Sequence, residues 1–152
     1  MTVYCYTTFV WFHTVKSCSQ GDRIPAKIRL QFKWGSNQKK MKLLVIATNP
    51  LVRRMLRTVV AETASYLCEC STYEEAMANY DGFRPDFVLI DSALSDNVRV
   101  ASSIRTADPR ARVVLLADHD DADLRSAALR AGAYRYLLKE DIPALIELIK
   151  RG

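Results

Sequence analysis

One carboxylate in this sequence is better placed than any other to do chemistry. Phe87-Val88-Leu89-Ile90 is an unbroken apolar run, and Asp91 ends it. Such a run reads as a strand buried on both faces of a parallel sheet. In open α/β sheets, ligands and chemistry collect at the carboxyl ends of the strands. Two more strand ends should lie beside this one. Residues 42–47 (KLLVIA) run out at Ala47-Thr48, with no carboxylate, and residues 113–117 (VVLLA) end in the methyl of Ala117. A further strand, residues 134–138, runs into Lys139. A strand-end carboxylate with a lysine opposite is either an ion pair fastening the loop junction or the remnant of a reactive centre. The residues alone leave both open.

The elements that must position these groups alternate from Met41 onward. After the strand 42–47, Asn49 suits a helix cap and Pro50 the first helical position. The helix that follows is expected to bury Leu51/Val52, Met55/Leu56 and Val59/Val60, and to expose Arg53, Arg54 and Arg57 as a solvated face. Residues 66–70 read as a second strand. Ser71-Thr72-Tyr73-Glu74 reads as a capping box opening a short helix with Ala76, Met77 and Tyr80 inward. Phe87–Asp91 is the third strand. A weaker helix over 97–106 places Val98, Ala101 and Ile104 on one face. After the strand 113–117, Asp120, Asp121 and Asp123 load the start of the next helix, at its positive dipole end. Gly132 should end that helix in a left-handed conformation. Asp141 opens a last helix with Leu145, Ile146, Leu148 and Ile149 buried.

This (βα)5 alternation predicts an α/β fold, a doubly wound five-stranded parallel sheet with right-handed crossovers. No glycine-rich loop follows the first strand, so a dinucleotide or Walker-type site is not expected.

Composition divides the chain at Met41. Of its 152 residues, the first 40 hold seven Lys/Arg and one acid, a net +6, and seven of the 14 aromatics. Residues 41–152 hold 15 basic and 16 acidic residues, a net −1. The overall charge of +5 therefore describes residues 1–40, and nucleic-acid binding argued from charge would rest on them alone. We read 1–40 as an N-terminal extension, disordered or a non-native start, and 41–152 as the folded domain. No stretch approaches the ~18 to 20 apolar residues of a membrane span. Cys5, Cys18, Cys68 and Cys70 form no metal-binding pattern, and His13 and His119 have no evident partners.

The region 41–152 resembles a response-regulator receiver domain, the CheY-like family of two-component signalling, and in feel the NarL type. The resemblance rests on the strand ending at Asp91, on Asn49-Pro50-Leu51-Val52-Arg53, and on Ala131-Gly132-Ala133-Tyr134-Arg135-Tyr136-Leu137-Leu138-Lys139-Glu140. It implies a flavodoxin-like strand order of 2-1-3-4-5. It also implies that Asp91 is the phosphoacceptor position, that Lys139 binds the phosphoryl group, and that Ala117 and Tyr136 are switch positions. The family's acidic, magnesium-binding pair aligns with Ala47 and Thr48, and its hydroxyl at the fourth strand end aligns with Ala117. The loop Ser92–Asn97 is about two residues shorter than the family's. Asp118 lies next to Ala117, and strand alternation predicts that it points away from the site.

The implied function is an atypical receiver domain of a bacterial two-component, phosphorelay response regulator, signalling through protein–protein contacts without normal magnesium-dependent phosphorylation. No enzyme activity or cofactor is expected, and no metal beyond weak magnesium binding at Asp91. The alternative is a phosphorylatable receiver that uses Asp91 with an altered metal site, and only in that case is Mg2+ expected as a cofactor. Expected partners are a histidine kinase or other signalling protein, and a second copy through the surface from Leu124 to Ile149. A DNA-binding output domain is not found in this sequence. The expected location is the cytoplasm, with no membrane partner.

Overall fold

A computed structural model of the chain describes residues 28–30 and 41–152. Residues 1–27 and 31–40 lie outside the described residues, and with them Cys5, Cys18, His13 and both tryptophans. The expectation for 1–40 therefore falls almost wholly outside them. Its described part is the short strand β1 (Ile28–Leu30), which pairs antiparallel with residues 66–68.

The remaining strands are β2 (Lys42–Ile46), β3 (Tyr66–Cys70), β4 (Phe87–Asp91), β5 (Arg112–Ala117) and β6 (Arg135–Leu138). Between and after them run α1 (Pro50–Val60), α2 (Tyr73–Phe83), α3 (Asn97–Ala107), α4 (Ala122–Arg130) and α5 (Ile142–Arg151). The sheet order is β1-β3-β2-β4-β5-β6, with β2 to β6 mutually parallel. Counted from Lys42, that is the 2-1-3-4-5 order of the flavodoxin and CheY-like fold.

Alternation along each strand builds two cores. Leu44, Ile46, Val88, Ile90, Val113 and Leu115 pack on the side of α2, α3 and α4. Leu43, Val45, Phe87, Leu89, Val114 and Leu116 pack with Leu56 and Val60 of α1 and Leu145 and Ile149 of α5. Every residue of β4 is buried, because this central strand has helices on both faces. Each large apolar side chain of β4, from Phe87 to Ile90, contributes about 1.5 to 3 kcal/mol by leaving water.

Several local expectations shift by a residue. In α1 the inward stripe is Val52, Leu56, Val59 and Val60, whereas Leu51 is 70% exposed and Met55 is also exposed. Leu51 sits in the first turn, where the stripe through Val52 and Leu56 turns it away from the sheet. The cap of α2 is Thr72, whose hydroxyl accepts from the Glu75 N–H, while the Glu75 carboxylate accepts from the Ser71 N–H. The capping box therefore runs from Thr72 to Glu75. In α3 the buried residues are Asn97, Val100, Ala101 and Ile104, with Val98 half-buried. In α5, Leu145 and Ile149 are buried, and Ile146 and Leu148 only half.

Other signals hold. Asn49 caps α1 through its side chain, and the Asp121 carboxylate accepts from the Asp123 and Leu124 N–H groups at the start of α4. Gly132 has φ +93°, the left-handed conformation expected after α4. A β-carbon there would also lie 3.0 Å from Arg105 Cγ.

Candidate functional site at the carboxyl ends of β2, β4, β5 and β6

Strand register brings the predicted residues together. Ile46 pairs with Ile90, Asp91 with Leu116, and Ala117 with Leu138, so the four strands finish at one level. Asp91 is fully buried (0% exposed) at the centre of this edge. A buried carboxylate needs partners. One of its oxygens has two: Lys139 Nζ at 2.7 Å and the Ala93 N–H at 3.1 Å. The second contact makes Ser92–Leu94 a tight turn, closed by the Leu94 N–H donating to the Asp91 carbonyl. Asn97 completes the loop by donating to the Ser92 carbonyl. The other carboxylate oxygen, Oδ2, is buried and has no hydrogen-bond partner among the described residues.

Lys139 is held from two sides. Its backbone N–H donates to the Ala117 carbonyl at 2.8 Å, continuing the β5–β6 ladder past the strand end. Its ammonium, in a side chain only 11% exposed, contacts Asp91 and both oxygens of Asp118, at 2.9 and 2.8 Å. Burial lowers the Lys139 pKa, but the hydrogen bonds it donates to the two carboxylates outweigh it, and the net shift is upward. Lys139 is therefore a charged ammonium between two carboxylates.

Asp118 is a correction to the sequence reading. Alternation predicts that it turns away, but β5 ends at Ala117, and beyond that point the pleat no longer dictates direction. Its side chain, 58% exposed, reaches Lys139 from the loop. Adjacent parallel strand ends carrying Asp118 and Lys139 were the available signal.

Tyr136 lies half-buried against the core, with its hydroxyl on the same loop. It donates to the His119 carbonyl at 3.1 Å and accepts from the Asp121 N–H at 3.3 Å. The Arg125 guanidinium lies 5.4 Å from the Tyr136 ring centroid and pairs with Asp120. Ala117 is buried and offers no hydroxyl.

On the other flank, Ala47 is buried and Thr48 exposed, the latter's hydroxyl 3.5 Å from the Ser71 carbonyl. Arg53 folds back from α1 and donates to the Ala47 and Thr48 carbonyls, at 2.5 and 2.9 Å. Arg57 makes a two-pronged bridge to Glu69, at 2.6 and 2.5 Å. That hydrogen bond raises the Arg57 pKa against the opposing effect of burial. Of the three arginines read as a solvated face, only Arg54 is exposed, and Arg53 and Arg57 are half-buried.

A magnesium ion binds several oxygen ligands, with carboxylates among them. The residues at the end of β2 do not fit that requirement. They supply a methyl, a hydroxyl and two carbonyls already engaged by a guanidinium. Among the described residues there is no cluster of three His, Cys, Asp or Glu able to hold a metal, and no helix is long and apolar enough to cross a membrane.

Comparison with known proteins agrees with this geometry. The family model of the response regulator receiver domain matches residues 43–150. The chain is 28% identical over 119 residues to the transcriptional regulatory protein DegU of Brevibacillus brevis, covering 75% of this chain and 50% of that protein. It is 24% identical over 102 residues to the chemotaxis protein CheY of Listeria monocytogenes, covering 65% of this chain and 86% of that one. The signal receiver domain of the response regulator NarL from Mycobacterium tuberculosis superposes with a TM-score of 0.64 at 25% identity, covering 74% and 98% of the two chains. A response regulator from Thermotoga maritima shares the fold, with a TM-score of 0.67 at 20% identity, covering 74% and 97%. The chain spans about half the length of DegU. With a buried strand-end aspartate, a lysine on it, and a family model matching most of its length, this chain belongs to the response regulator receiver domain family.

Proposed function

We propose that this receiver signals through protein–protein contacts without magnesium-dependent phosphorylation of Asp91. The observation that carries the reading is the end of β2, where Ala47 and Thr48 supply no carboxylate and Arg53 occupies their carbonyls. In phosphoryl transfer, positioning and electrostatic neutralisation supply nearly all of the catalysis. Here the fixed positive charges are already committed, Lys139 to two carboxylates and Arg53 to the loop. On this reading the domain is not an enzyme, needs no cofactor and acts in the cytoplasm.

Its partners are a histidine kinase or another signalling protein, and a second copy. The face from Leu124 to Ile149 supports the second. Leu129 and Tyr134 are exposed there among Arg125, Arg130, Asp123 and Glu147, charges that can complement one another across a two-fold axis. DegU, half of whose length this chain matches, is a transcriptional regulatory protein.

One observation favours the alternative, a phosphoacceptor with an altered metal site. Asp91 Oδ2 is buried without a hydrogen-bond partner, which leaves one oxygen uncommitted. Intact mass after incubation with acetyl phosphate and Mg2+, with Asp91→Asn alongside, separates the two. The expected result is no phosphoryl adduct on folded protein. An adduct present in the wild type and lost in Asp91→Asn overturns the proposal.

A further inference from the structure

The loop between β5 and α4 is fastened to β6 by side chains rather than by backbone pairing. Lys139 Nζ holds both carboxylate oxygens of Asp118, and the Tyr136 hydroxyl holds the His119 carbonyl and the Asp121 N–H. Lys139 and Tyr136 are three residues apart, one within β6 and one just past its end, so the strand grips the loop at two points. The second grip reaches the start of α4. The Asp121 N–H on Tyr136 belongs to the residue whose carboxylate caps that helix, and Arg125 of the same helix lies over the Tyr136 ring.

We infer that Asp118 is a built-in counter-ion for Lys139, latching the 118–121 loop onto β6 with no phosphoryl group on Asp91. This deepens the proposed function and rests on it. A receiver that is not phosphorylated needs another way to fix the loop that shapes its α4 face, and the chain supplies a carboxylate from the loop itself. Asp91 alone neutralises Lys139, so Asp118 adds a second negative group to one ammonium. That group reaches from a side chain 58% exposed, where water also solvates it. The latch should therefore be modest in strength and sensitive to charge.

The test is amide hydrogen exchange, resolved by residue, on the full chain and on Asp118→Asn and Asp118→Glu. Asparagine still accepts a hydrogen bond but carries no charge, whereas glutamate keeps the charge on a longer arm. The reporters are the Asp121, Asp123 and Leu124 amides, each of which has a defined acceptor. The β4 amides report whether the fold is intact. In Asp118→Asn the three reporter amides should exchange about threefold faster or more, with β4 unchanged and protection largely kept in Asp118→Glu. Loop exchange in Asp118→Asn equal to wild type, with β4 protected, overturns the latch. So does equal acceleration in Asn and Glu, because the charge would then be irrelevant. Phosphorylation of Asp91 is read separately by mass, so a failed latch and a failed metal-independent reading give different signatures.

Discussion

At the end of β2 the polar groups are a threonine hydroxyl and two carbonyls, with a guanidinium laid across the carbonyls. At the ends of β5 and β6 they are an ammonium, two carboxylates counting Asp91, and a phenol bridging to the loop. The two flanks adjoin the same central strand and meet the same demand, a buried carboxylate at the sheet edge. Among the described residues, the β2 flank gives Asp91 no hydrogen bond or ion pair. The β6 flank meets it with a salt bridge and a second strand–loop tie. Receiver chemistry as the family resemblance implies it needs both flanks. On the proposed reading, this chain keeps the flank that fastens the loop, and its β2 flank carries Ala47 and Thr48 in place of the carboxylates a cation would need.

Removing the ammonium attacks the β6 flank most directly. Lys139→Met leaves Asp91 buried without its counter-charge, and should cost about 3 kcal/mol in denaturant unfolding. Asp91→Asn in that background should recover a large part of the loss, since the uncompensated charge goes too. A Lys139→Met protein as stable as the wild type would show that the flank does not hold Asp91.

Rebuilding the β2 flank tests the contrast from the other side. Ala47→Asp with Thr48→Asp should raise Mg2+ affinity about tenfold or more, because site charge and ligand number set affinity for hard cations. Calorimetric titration checks this. Equal affinities in wild type and double variant would mean that the missing carboxylates are not what sets the β2 flank apart.

The smallest effect belongs to a polar pair remote from both flanks. The Tyr80 hydroxyl donates to Asp108 at 3.2 Å, and burial first, then Asp108, pushes its pKa up to about 12. Tyr80→Phe should cost about 1 to 2 kcal/mol and leave Mg2+ binding unchanged. In the wild type, the neutral phenol's contribution is complete below pH 10, the unfolded value, and is lost as pH rises through 12. Base-induced unfolding of wild type against Tyr80→Phe, followed by circular dichroism, should show the two curves converging across that window.

The fold was legible because periodicity and punctuation agree. Apolar runs too short for helices end at caps and turn residues, and β4 is apolar up to Asp91. The site was legible as positions, since Asp91, Lys139, Ala117, Tyr136, Ala47 and Thr48 do converge on one edge. What sequence could not give was direction beyond the strand ends. Asp118 follows β5 by one residue, where the alternation rule has expired, and its partner is 21 residues away. Arg57 reads as a surface residue on a helical wheel, but Glu69 on the neighbouring strand lies within its reach. Leu51 reads as core by apolarity, yet the first turn of α1 carries it outward.

Lys139 is also a statement about reactivity. An amine acylates through its free base, and the two carboxylates on this ammonium raise its pKa and crowd it. Lys150 is exposed in the last turn of α5 and makes no ion pair among the described residues. Acetyl phosphate can give its acetyl group to an amine as well as its phosphoryl group to a carboxylate. Lysine acetylation of this domain should therefore begin at positions such as Lys150 and reach Lys139 last, so the order of labelling reports on the interior of the crevice without touching it.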